Sequence, residues 1–170
     1  MKTVLPFRSF VPFVGALTAL ALVSGCGDSK PAASADGHGH AHDDHAHAPP
    51  HGGTPVLLGK SLQLELVADS IEGKMLAYVY DAEFHDSVRV TETNFLLQAR
   101  FDGRSETLSF NRSPNPTTGK VPEKSALFDA RADWLKTIKT FEGTLPALTL
   151  GGQSFTNVTF SFPKGTAHSH

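Results

Sequence analysis

Phe95-Leu96-Leu97-Gln98-Ala99-Arg100-Phe101-Asp102-Gly103-Arg104-Ser105-Glu106-Thr107-Leu108 is the stretch that decides the fold class. Phe95, Leu97, Ala99 and Phe101 share one face, and Leu96, Gln98 and Arg100 share the other. That period of two belongs to a strand, whose successive side chains point to opposite sides. Asp102-Gly103 then reads as a tight hairpin, because both central residues of such a turn need positive φ. The same pattern recurs on either side. Leu62, Leu64 and Leu66 alternate with Gln63 and Glu65; Leu76, Tyr78 and Tyr80 alternate with Ala77 and Val79; Val158, Phe160 and Phe162 alternate with Thr159 and Ser161. Glu72-Gly73 and Gly151-Gly152 mark further turns, and Pro114, Pro116 and Gly119 mark a longer loop. One short helix is expected, capped by Asp129, with Trp134, Leu135 and Ile138 on a common face. Seven to nine short strands are expected. The expectation is therefore an all-β fold: an antiparallel, Ig-like β-sandwich of roughly 110 residues with one short helix. A closed barrel accommodates the same pattern.

Outward from this domain, residues 55–163, the character changes. Residues 26–54 contain no large apolar residue. A segment of that kind buries too little surface to offset its ordering entropy, and is expected to be a disordered tether. By random-coil scaling it reaches about 30 Å. Residues 164–170 are again small and polar and are expected to form a disordered tail. At the other end, Lys2 and Arg8 precede an apolar run from Val11 to Val23, then small residues. This is the order of a secretory signal over residues 1–25. The run falls short of the about 20 residues that span a bilayer.

Val23-Ser24-Gly25-Cys26 resembles the lipobox of bacterial lipoproteins, in which the cysteine takes a diacylglyceryl group and the chain is cut before it. The resemblance implies that Cys26 is lipidated and that the mature chain is held at a membrane, facing an extracytoplasmic space. Two or three acyl chains anchor far more firmly than one. Gly27 follows, where the Gram-negative family uses aspartate for inner-membrane retention, so the outer membrane facing the periplasm is favoured. Cys26 is the sole cysteine, so no disulfide staples the fold.

The 170-residue chain carries a formal charge of −2. Loss of Lys2 and Arg8 leaves 13 basic and 17 acidic residues. No basic stripe exists for nucleic acid. The chemistry lies in histidine. His38, His40, His42, His45, His47 and His51 fall among glycine, alanine, Asp43 and Asp44. Neutral imidazole is a ligand for zinc, copper and nickel. A pliant chain with imidazoles two or three residues apart wraps an ion from several sides. Its ligands are not preorganised, so no tightly bound cofactor is expected, and protons compete below an imidazole's ordinary value near 6.5. As a composition, the tract serves equally as a solvated spacer.

His51-Gly52-Gly53 opens the domain, followed by Leu64-Glu65-Leu66-Val67-Ala68-Asp69 and Gly73-Lys74-Met75-Leu76-Ala77-Tyr78-Val79-Tyr80-Asp81. These stretches resemble a group of small bacterial lipoproteins with a histidine-rich leader. They are also similar to the amino-terminal region of periplasmic adaptor subunits of heavy-metal efflux pumps. The resemblance implies a metal-handling setting with an efflux system or another envelope protein as partner. Members often carry histidine where this chain has Gln63. The adaptor's coiled-coil hairpin is absent.

Two further groups are candidates. Asp81, Glu83, His85 and Asp86 form an acidic loop with one nitrogen ligand, which more commonly means a solvated turn. His168 and His170 repeat the alternating spacing at a terminus that is expected to fray. Catalysis is not expected. There is no free thiol after lipidation, no histidine in a core strand, and Ser61, Ser105 and Ser109 lack a base nearby in sequence. Two functions follow: a membrane-anchored metal-binding protein of the cell envelope, or an interaction lipoprotein whose tether only spaces.

Overall fold

The computed structural model describes residues 47–166. Eight strands form the domain: β1 (Thr54–Leu58), β2 (Leu62–Asp69), β3 (Lys74–Asp81), β4 (Asn94–Phe101), β5 (Arg104–Arg112), β6 (Leu127–Arg131), β7 (Phe141–Leu150) and β8 (Gln153–Phe162). All neighbours are antiparallel, in the order β1-β2-β3-β6-β5-β4-β7-β8. The all-β antiparallel fold read from the alternation is thus present. Its strands make one continuous sheet that curls around a single core until its edges nearly meet.

The segment after β8 bridges the seam. The Thr54 hydroxyl donates to the Pro163 carbonyl at 3.1 Å, and the Leu57 N–H donates to Thr166 Oγ1 at 2.9 Å. The Thr166 N–H donates to the Pro55 carbonyl at 3.1 Å. The fold therefore runs at least to Thr166 and does not stop at Pro163.

The hairpins follow their turn residues. Asp102 and Gly103 have φ of 49° and 74°, and Gly151 and Gly152 have φ of 59° and 77°. Both pairs match the twist of the flanking strands, as the primed turn types do. Phe95, Leu97, Ala99 and Phe101 are buried, and their alternates face out. On β3 the core takes Met75, Ala77 and Val79, each fully buried. Leu76, Tyr78 and Tyr80 therefore lie on the outer side of the sheet. Phe95 stacks on Phe110, and Phe128 meets Phe95 edge-on.

The helix expectation needs a correction. The helical element is a single 3₁₀ turn, Asp133–Lys136, and Asp129 does not cap it. Asp129 lies inside β6, where its carboxylate accepts from the Ser113 hydroxyl at 2.7 Å. β6 is an interior strand that pairs with both β3 and β5, which commits Leu127–Arg131 to extended backbone before a helix can begin. Trp134 and Ile138 pack on the core, and Leu135 is buried in it. Among the described residues, no helix is long and apolar enough to cross a membrane.

Candidate metal centre

The polar side of β2 is where the alternation misleads. Gln63 and Glu65 face away from the core, yet both are buried, Glu65 completely. Residues 49–53 cover them. The Gly52 N–H donates to the Pro49 carbonyl at 3.0 Å, which folds this entry segment onto the sheet. The Glu65 carboxylate then accepts three hydrogen bonds. Oε1 accepts from the His51 and Gly53 backbone N–H groups at 2.7 and 2.9 Å. Oε2 lies 2.8 Å from His51 Nδ1. A buried charge persists only when paired and hydrogen-bonded, and here both oxygens are engaged.

Both glycines of the entry are needed. Gly52 has φ of 67°, a left-handed conformation that glycine adopts at little cost. A Cβ on Gly53 would stand 2.7 Å from the Leu66 carbonyl oxygen and 2.8 Å from the Glu65 side chain. No side chain fits there. His51-Gly52-Gly53 is thus a clasp built around Glu65, and the described fold includes this clasp, ahead of residue 55.

The clasp fixes the His51 ring. An ionised carboxylate only accepts, so Nδ1 carries a proton, and in the neutral ring Nε2 keeps its lone pair. The ring stacks on Tyr78 with centroids 3.9 Å apart and planes 11° apart. Its side chain stays 41% exposed. Metal-binding histidines are commonly oriented this way, with the second nitrogen donating to a carboxylate. Burial pushes the Tyr78 and Tyr80 phenols above their ordinary value near 10, and the Glu65 charge adds to the effect.

The acidic loop after β3 is organised by Asp81. Its Oδ1 accepts from the Glu83 and His85 N–H groups at 3.2 and 2.9 Å, and Oδ2 accepts from Asp86 at 3.2 Å. Desolvation opposes the Asp81 charge, but these backbone donors and the nearby His85 outweigh it and hold the carboxyl below its usual range. Its oxygens are therefore turned inward on the loop. Asp81, Glu83, His85 and Asp86 do not converge as an oxygen-rich ligand set, and the solvated turn is the arrangement present. Phe84, with φ of 61°, inserts edge-on against Tyr80 and anchors the loop tip.

His85 faces outward and meets the end of the histidine tract. Its Nε2 lies 2.9 Å from His47 Nε2, and its Nδ1 lies 3.3 Å from Glu83 Oε2. A cavity of about 380 Å³ adjoins the pair, with His47, Pro49, Leu57, Gln63, Phe84 and Thr166 in its wall. The Gln63 amide donates to the Ala82 carbonyl at 2.9 Å, so this side chain ties β2 to the loop.

Of the sequence candidates, then, His47, His51 and His85 are seated on the domain. Cys26, His38, His40, His42 and His45, and likewise His168 and His170, lie outside the described residues. Among the described residues, no three His, Cys, Asp or Glu side chains converge as a ligand set. Glu65, Tyr78 and the His47–His85 contact were not expected from sequence. The one available signal for Glu65 was its place in a strand 12 residues after the His-Gly-Gly entry. No family model, no curated protein and no solved structure matches the chain.

Proposed function

We propose that this chain is a lipid-anchored, extracytoplasmic protein that binds divalent zinc, copper or nickel through its histidine tract, in metal homeostasis or efflux. The observation that carries this reading is the seat of His51. The tract's last imidazole is stacked on Tyr78 and bonded to Glu65 through Nδ1, with Nε2 left as a ligand. Imidazoles two to four residues apart lead up to it. A spacer needs no oriented ring at its end.

The lipobox-like run before Cys26 supports the anchor, which would hold collected metal near the membrane. The domain serves as a stable base for the tract. No tightly bound cofactor and no catalytic step belong to this reading. An efflux system is the proposed partner; the alternative is a spacer-only interaction lipoprotein.

Calorimetric titration of the full chain in detergent with zinc is the test. Replacement of His38, His40, His42, His45, His47 and His51 by alanine should remove most of the bound ion. Full stoichiometry in that variant would move the site onto the domain, and no binding by the parent below millimolar zinc would favour the spacer. Cys26→Ser should abolish lipid labelling and membrane partition.

A further inference from the structure

We propose that the Nε2 atoms of His47 and His85 together form a discrete divalent-metal site on the domain, oriented by Glu83. This rests on the metal-binding reading above and adds a place where the ion is held. His85 belongs to no tract; it is 38 positions away in sequence.

Three observations carry it. First, two Nε2 atoms stand 2.9 Å apart. One must accept, so at least one imidazole is neutral and presents its lone pair to the other. Two protonated rings would repel at this distance. Second, Glu83 Oε2 lies 3.3 Å from His85 Nδ1, the carboxylate–imidazole arrangement that orients metal-binding histidines. Third, the frame is set without the ion. Asp81 holds the His85 backbone, Phe84 anchors the loop against Tyr80, and the clasp on Glu65 fixes the chain four residues after His47.

The geometry needs little change to take an ion. Two nitrogens each about 2.0–2.1 Å from a tetrahedral zinc stand about 3.4 Å apart. The pair would part by about half an ångström, which side-chain torsions supply. His85 is 51% exposed, so water can complete the coordination. Imidazole donors select copper, nickel and zinc over magnesium and calcium. The site would hold an ion at the point where the tract meets the domain.

The test uses the full chain in detergent and two probes, Cu²⁺ alone and Zn²⁺ alone, competed against a chromophoric chelator. In a variant with His38, His40, His42 and His45 changed to alanine, one ion should still bind. Adding His85→Ala or His47→Ala should each weaken it by about tenfold or more, with Glu83→Gln weakening it less. The two histidine changes should be non-additive, since either one dismantles the pair. Cu²⁺ resonance should show nitrogen coupling that His85→Ala alters. Circular dichroism should be unchanged in every variant.

If His85→Ala leaves affinity unchanged, the proposal falls. If the parent binds metal but the four-histidine variant binds none, the paired site falls while the tract reading stands. If the parent binds none, both fall.

Discussion

The contact between His51 and Glu65 sets the geometry of the clasp. His51→Ala leaves two backbone donors on Glu65 but removes the ring from Oε2. Loss of a hydrogen bond to a charged, buried group costs about 2 kcal/mol, or a Tm lower by about 10 °C in a domain of this size. Glu65→Gln is the more informative change. Its amide N–H would donate to Nδ1, so the imidazole proton would move to Nε2 and block the open ligand position. Nitrogen NMR of the ring should report Nδ1–H in the parent and Nε2–H in the variant, with metal affinity falling while the fold survives. The chain has only two tyrosines, so phenolate absorbance follows Tyr78 and Tyr80 alone. Both should ionise above the ordinary value near 10, with Tyr78 falling back toward it in Glu65→Gln. A raised folded-state value means that the fold prefers the neutral phenol. Stability from this source is complete below pH 10 and lost as pH rises through the raised values. An unshifted titration would show that the phenols are not desolvated. Alternation alone marks Gln63 and Glu65 as outward and wet, which is why their burial was illegible in sequence. Cover by the entry segment is a tertiary fact that a period of two does not encode.

Between elements, Arg112 at the end of β5 holds the long loops together. Its guanidinium donates to the carbonyls of Thr91 at 2.5 Å and Glu92 at 2.8 Å. It also donates to Pro122 and Glu123, each at 2.6 Å. These carbonyls belong to the connections β3–β4 and β5–β6, neither of which is rich in core residues. Arg112→Met keeps the stem but strands four acceptors. It should lower stability by about 3 kcal/mol and speed amide exchange across residues 88–93 and 120–126. Exchange that stays as in the parent would mean that the loops are pinned elsewhere. The strands and their hairpins were legible, because alternation, Asp102-Gly103 and Gly151-Gly152 all pointed the same way. The helix was half legible. Trp134, Leu135 and Ile138 do pack on the core, but Asp129 caps nothing, because its own backbone is claimed by β3 and β5. A carboxylate before an apolar triplet signals a cap only if the residue is free of the sheet.

At the scale of the domain, the core is built without the candidate ligands. The curled sheet buries Val56, Leu64, Met75, Leu97, Phe110, Phe128, Leu145 and Leu150 with no histidine among them. A cooperative thermal melt in chelator should therefore match that in zinc to within a few degrees at low ligand excess, since binding adds stability only by mass action. Loss of the melt in chelator would mean that the metal is structural. The histidine tract and the cysteine before it were legible as composition and motif. The seat that receives the tract was not, because it joins β2, β3 and the loop at His85, far apart in sequence. The central claim is that imidazoles of this chain hold a divalent ion. Zinc-edge X-ray absorption on the full chain with one equivalent of zinc tests it most directly. The account predicts nitrogen neighbours at about 2.0–2.1 Å with the outer-shell scattering of imidazole rings. A first shell of oxygen alone, with no imidazole signature, would contradict it.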